Sequence, residues 1–311
     1  EVIYNPIKPM SDRSCKVILV SAIAAYLLVF GTLTALRHAN FQTQAWDMGI
    51  FQQTFWNTVR GRVMQNTIEE IPNHLGIHMS PFLFLLVPGF ALFPSPYYLL
   101  AAQTVALALG AIPAYFLALR ILQNRRWALF LAGAYLLYPP LHWVNWFDFH
   151  EIAFFVPLAL AGFYFIEERR WGWAWTFLVL AASAKEDAIL AVVAIGLWLL
   201  IKERGVSWKF WEKSFWTPER KHGAMLIIVM ATYFLISTKF IMPALGGGLL
   251  RLDRYAELGQ TPAEIISNLV RHPSLAAQII FTPQKFAYLF WLLLPLAFLP
   301  FLALPALILA A

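Results

Sequence analysis

Residues 171–201 read WGWAWTFLVLAASAKEDAILAVVAIGLWLLI, an apolar run broken at its middle by three consecutive charges, Lys185, Glu186 and Asp187. Arg169 and Arg170 precede the run, and the connection from Lys202 to Lys221 that follows it holds six basic residues. Basic connections stay in the cytoplasm. Both flanks lie on one side only if the run crosses twice, so a hairpin reversing at Lys185-Glu186-Asp187 is expected. A single tilted helix, with Lys185 neutralising Glu186 or Asp187, would put the flanks on opposite sides. Each arm has 14 residues, or about 21 Å of helix against a hydrocarbon core of about 30 Å. The turn therefore stops short of the far surface. Charges at that depth cost about 2.5–3.5 kcal/mol each and persist where they pair or line a wet cavity, so the turn is expected to floor a cavity open to the outside.

The rest of the chain agrees with a membrane setting. Hydrophobic residues make up 60% of the 311, charged residues 13%, and the mean hydropathy is +0.64, far from the averages of soluble domains. Apolar segments fall at 16–36, 97–119, 127–147, 152–166, 171–184, 188–201, 223–243 and 286–311, with a weaker one at 80–95. The fold expected is all-α, a polytopic transmembrane helical bundle of about 8 spans in one domain. Runs this long exclude a β-barrel. One cysteine, Cys15, excludes an internal disulfide framework. The chain starts at Glu1 and stops at Ala311 inside an apolar run, and is read as part of a longer protein truncated at its C-terminus. Lys8, Arg13 and Lys16 precede the first apolar segment with no small-residue cleavage site after it, as in an uncleaved anchor. With Arg120, Arg125 and Arg126 they complete the cytoplasmic set, so the N-terminus is expected in the cytoplasm. The net charge of +6 follows this topology and implies no nucleic-acid partner.

The outer connections are then 37–96, 147–151, the charged turn and 244–285, and they hold six of the seven histidines and most of the acids. In the first, Phe51, Phe55 and Val59 recur at four-residue spacing, predicting an amphipathic helix over 48–59 in the outer interface, with Asp47 as its N-cap. His74 and His78 have a spacing that could hold a metal, but HLGIH lacks the glutamate of the zinc-protease motif. Pro81, Pro88 and Pro94 interrupt the 80–95 stretch and Pro96 follows it, so it is read as re-entrant. In YPPLHWVNWFDFHE, Pro139-Pro140 breaks a helix and aromatic residues form an interfacial belt ahead of Asp148, His150 and Glu151. The last connection is expected to be a lid, with a short helix capped by Thr261 and opened by Pro262. Its glycines 246–248 read as a hinge.

RHANFQTQAWDMGIFQQTFWN, HMSPFLFLLVPGFALFPSPYYLLAAQ, FDFHEIAFFVPLALAGFYFIEERR, AKEDAIL and RYAELGQTPAEIISNLVRHP together resemble a large family of multi-pass proteins of bacteria and archaea catalogued only as a domain of unknown function. The layout is more distantly similar to the C-type membrane glycosyltransferases, which have a cytoplasmic N-terminus, one span and then a long outer loop with an acid near its start. That resemblance implies sugar transfer from a polyprenyl-phosphate carrier in the outer leaflet of a prokaryotic plasma membrane. It makes Asp47 the counterpart of an acid that acts as catalytic base or binds a metal. Many members carry two acids there, whereas Met48 and Gly49 follow Asp47, so a divalent metal is allowed and not required.

Glycosyl transfer with a phosphate leaving group needs a carboxylate for the acceptor's proton and a fixed cation for the leaving charge. Asp47 and Lys185 are assigned those roles. Arg37, His78, His150, Glu151, Glu186 and Asp187 would position the sugar or tune the pair. Two other classes fit the same residues: a transporter with an outward-open polar cavity, and a non-catalytic subunit whose outer loops are covered by membrane-protein partners.

Overall fold

The structure is a computed structural model that describes residues 11–202, 211–248 and 256–302. Every element among these residues is helical. The chain divides into two compact units, residues 1–72 with 80–188 and residues 73–79 with 189–311.

The first unit is built on α1, Asp12–Ala39, whose N-terminus is capped by the Ser11 hydroxyl accepting from the Ser14 amide at 3.1 Å. Its 28 residues reach about 42 Å at 1.5 Å per residue. After α2, Ala45–Thr58, and two short helical segments at Pro81–Leu85 and Val87–Leu92, the chain enters α3, Pro96–Leu122. Next come α4, Arg125–Leu136, α5, Pro139–Trp146, α6, Phe155–Glu167, and α7, Trp171–Ala182. Small residues bring these helices close. Ala108, Ala111 and Ala118 of α3 meet Ala128 and Ala132 of α4 and the Cys15, Leu19, Ile23 and Tyr26 face of α1. Without a hydrophobic drive between helices in lipid, such close approach supplies the packing energy. Gly110 shows it at one atom. A Cβ there would overlap the Tyr135 hydroxyl, which donates to the Leu107 carbonyl at 2.8 Å.

In the second unit, the later part of α8, Glu186–Ile201, packs on α9, Pro218–Ala244. A Cβ on Gly196 would lie 2.9 Å from the Gly223 carbonyl oxygen, so the two backbones are in contact. The sequence reading left Arg220 and Lys221 in a basic connection, but α9 starts five residues before the expected 223. Thr217 caps it, accepting from the Arg220 amide at 3.3 Å, and Pro218 opens it. Arg220 is completely buried, its Nε donating to the Leu200 carbonyl at 3.0 Å at the end of α8. Thr261 caps α10, Pro262–Arg271, as its sequence predicts, and α11, Pro273–Ile280, and α12, Pro283–Leu293, follow. The glycines expected to hinge the lid are a docking point: the Gly248 amide donates to the Gly76 carbonyl at 3.0 Å, and a Cβ on Gly247 would overlap that carbonyl.

Three helices, α1, α3 and α9, are long and apolar enough to cross a membrane. The other expected spans are shorter helices among the described residues. Pro139 and Pro140 divide the third segment into α4 and α5, and α6, α7 and α8 have 13, 12 and 16 residues. The charged run does break the helix, but two residues early. Ser183, Ala184 and Lys185 form the break, while Glu186 and Asp187 open α8, where the helix dipole favours acids. Lys8, the 203–210 part of the basic connection, 249–255 of the lid and the last apolar run beyond 302 lie outside the described residues.

Candidate functional site

Between the end of α5 and a helical turn at Glu151–Phe154, the backbone is extended, with ψ 178° at Phe147 and φ −141° at His150. An extended segment cannot satisfy its own peptide groups. Gln103 of α3, wholly buried, does so from outside. Its Nε2 donates to the carbonyls of Val144 at 3.1 Å and Asp148 at 3.4 Å, and its Oε1 accepts the His150 amide at 2.8 Å. Thr104, one residue on, donates to the Asn145 side chain at 2.9 Å.

Held this way, three ionisable residues of the segment each meet a charged residue from a different element. Asp148, fully buried, accepts from Arg37 Nη1 at 2.5 Å. His150 Nε2 lies 3.9 Å from Asp47 Oδ1. Glu151 Oε1 lies 3.3 Å from Lys185 Nζ. The partners come from the last turn of α1, the first turn of α2 and the break before α8.

The Asp148 carboxylate also accepts the Gln44 amide at 2.6 Å, and Gln44 is the N-cap residue of α2, with no capping side chain of its own. Asp148 thus takes the part that the sequence assigned to Asp47. Asp47 sits inside the first turn and does not cap. Its carboxylate keeps 28% of its surface exposed beside a half-buried His150. His150 Nδ1 is 3.1 Å from the Asp148 carbonyl oxygen, which can only accept. The proton therefore resides on Nδ1, and Nε2 is the atom turned to Asp47. Lys185 retains 17% exposure while Glu151 is sealed at 1%. The arrangement offers a reachable carboxylate–imidazole pair and a reachable ammonium whose charge is offset by a buried acid.

The apolar face of α2, expected to lie in the membrane interface, instead packs within the protein. Phe51 meets the Phe149 ring edge-on at 4.9 Å, and Phe55 lies 5.3 Å from Phe90. Trp46 and Trp56 remain exposed. That packing fixes α2, and with it Asp47, against the 147–151 segment.

Of the residues singled out from sequence, Asp47, His150, Glu151 and Lys185 are joined pairwise. Arg37 is turned to Asp148 and to the Trp146 carbonyl at 3.1 Å. Glu186 is buried at the start of α8 and Asp187 is exposed. His78 belongs to the second unit, just past a helical turn at His74–Ile77, its ring 5.9 Å from that of His74. No group of three or more His, Cys, Asp or Glu suited to a metal occurs among the described residues. Sequence reasoning missed Asp148 and Gln103 as organisers. The signal for Asp148 was its place between two aromatics after a proline break; Gln103, one amide in an apolar helix, carried a fainter one.

Residues 37–311 match the family model described as "Predicted membrane protein (DUF2079)", and the chain belongs to that family of predicted membrane proteins of unknown function. No curated protein and no solved structure matches the chain.

Proposed function

We propose that the protein is a membrane glycosyltransferase that moves a sugar from a polyprenyl-phosphate carrier to a hydroxyl acceptor at the extracytoplasmic face of a prokaryotic plasma membrane. The observation that carries this reading is the placing of Asp47–His150 and Glu151–Lys185 on adjacent residues of one segment. It ties a proton acceptor and a cation to neighbouring residues of the chain.

In the reaction, the acceptor hydroxyl attacks the anomeric carbon and a new C–O bond forms. The bond from that carbon to the carrier phosphate breaks, and its electron pair leaves on the phosphate oxygen. Asp47 takes the hydroxyl proton beside the His150 ring. Lys185 stabilises the departing phosphate; its ammonium has three donors, so Glu151 does not exhaust it. Glu186, Asp187 and Arg37 remain candidates for sugar contacts. About 8 crossings, with the shorter helices as partial or tilted spans and a reversal at Ser183–Lys185, would put this segment outside and the N-terminus inside. The first-loop helix α2 would flank it.

The test is incubation of the purified chain with a radiolabelled polyprenyl-phosphate sugar and a mixture of lipid and peptidic acceptors. Release of free polyprenyl phosphate together with a labelled product is expected. Absence of both, with every acceptor class tried and the protein folded, overturns the reading.

A further inference from the structure

A groove of about 580 Å³ runs along the first unit between α3, α6 and α7. Its walls are apolar apart from the Tyr164 hydroxyl, and on α3 the lining residues Ile112 and Phe116 are each 38% exposed. Phe82 and Phe154, with rings 4.8 Å apart, line one end. Phe165 and Phe177, stacked at 5.4 Å, line the other. Eleven residues of helical chain from Phe154 to Phe165 give the groove a length of about 16 Å, close to half of a 30 Å hydrocarbon core. A groove of one leaflet's depth fits a lipid tail.

The two ends differ. At the Phe82 end the Phe82 amide donates to the Ser183 carbonyl at 3.0 Å, two residues before Lys185. Phe154 closes the same helical turn that Glu151 opens, and Glu151 is the residue paired with Lys185. Lys185 therefore lies near that end of the groove, and the far end is aromatic and aliphatic apart from the Tyr164 hydroxyl. A molecule that fits both features carries an anion on one end of a hydrocarbon chain. One ammonium near one end of one groove matches one chain with a terminal phosphate better than the two tails of a phospholipid.

We infer that this groove holds the proximal isoprene units of a polyprenyl phosphate, chain between α3 and α6 and phosphate at Lys185. The identity of the headgroup rests on the proposed sugar transfer, whereas the chain site rests on the groove itself. The first units of the carrier enter from the membrane between Ile112 and Leu158, and the remainder of the chain stays in lipid.

The experiment uses the full chain in nanodiscs and a short polyprenyl phosphate with a photoreactive diazirine on its third isoprene unit. Crosslinks are expected in the peptides containing 106–116 and 158–165. Ile112→Trp, which narrows the exposed rim, should lower the yield at least fivefold, and Val179→Trp, on α7 outside the groove, should leave it unchanged. Unlabelled polyprenyl phosphate should compete, and the corresponding polyprenol should compete at least tenfold less well. Equal competition by phosphatidylglycerol would show an ordinary phospholipid as occupant and overturn the assignment, as would crosslinks scattered over α1 and α9 and indifferent to Ile112→Trp. Crosslinking in the groove with no sugar transfer keeps the lipid site and removes the transferase. Sugar transfer undiminished by Ile112→Trp, with no groove crosslinks, does the reverse.

Discussion

Arg37 Nη1 and Asp148 Oδ1 stand 2.5 Å apart although 111 residues separate them, and the second carboxylate oxygen of Asp148 holds the start of α2. One buried acid thereby ties the end of the first helix, the start of the second and the segment that bears His150. Its removal should disturb all three at once.

Arg37→Met leaves the Asp148 carboxylate buried without its cation, a change that costs about 3–5 kcal/mol. Asp148→Asn in the same chain removes the stranded charge but keeps an oxygen for the Gln44 amide. The double variant should therefore recover part of the loss. Thermal unfolding of the single and double variants in one detergent measures this; a double variant no more stable than Arg37→Met would mean that the charge pair is not what holds the segment.

Asp47 is free of capping duty, so Asp47→Asn should leave the unfolding temperature nearly unchanged while lowering turnover by about a hundredfold or more. Carrier-lipid binding should persist. Full turnover in that variant removes Asp47 from the chemistry.

Lys185→Met alone removes a cation from beside the buried Glu151 carboxylate, and loss of fold would obscure its effect. Paired with Glu151→Gln it should fold, bind the phosphorylated lipid at least about tenfold more weakly, and turn over poorly. Lipid binding equal to that of the unaltered protein would place the phosphate elsewhere.

Gly110→Ala drives a methyl group into the Tyr135 hydroxyl, and overpacking of this kind costs about 1–3 kcal/mol. Tyr135→Phe takes away the obstructing oxygen along with its bond to Leu107. The two changes together should cost less than their sum, read from a double-mutant cycle of unfolding; simple additivity would show that the helices separate to make room.

A label at Gly205 should be reached only from the cytoplasm and one at Gly259 only from outside, because their connections differ in basic content. Both labels on one side would end the reversal at Ser183–Lys185.

The helical class, the break at the charged run and the Thr261 cap were legible in the sequence because they depend on local composition, dipole and hydrogen-bond chemistry. The pairing of Glu151 with Lys185 followed in part, since both were expected on one face. The role exchange between Asp47 and Asp148 was not legible: either acid can cap a helix, and only tertiary packing of Phe51 on Phe149 decides which one reaches the Gln44 amide. The apolar face of α2 was misplaced for the same reason, as periodicity marks a face for burial without saying whether lipid or protein covers it. Helix length was the other limit. Hydropathy marks 152–166 as continuous, while the turn at Glu151–Phe154 and the end at Glu167 leave 13 residues of helix.

The bond between Gly76 and Gly248 sets a clock on synthesis. The carbonyl of Gly76 leaves the ribosome 172 residues before the amide it accepts, a delay of roughly 9–34 s at about 5–20 residues per second. For that interval the 73–79 strap waits in an unfinished state while the helices between are inserted. A chain released before residue 248 would never complete it.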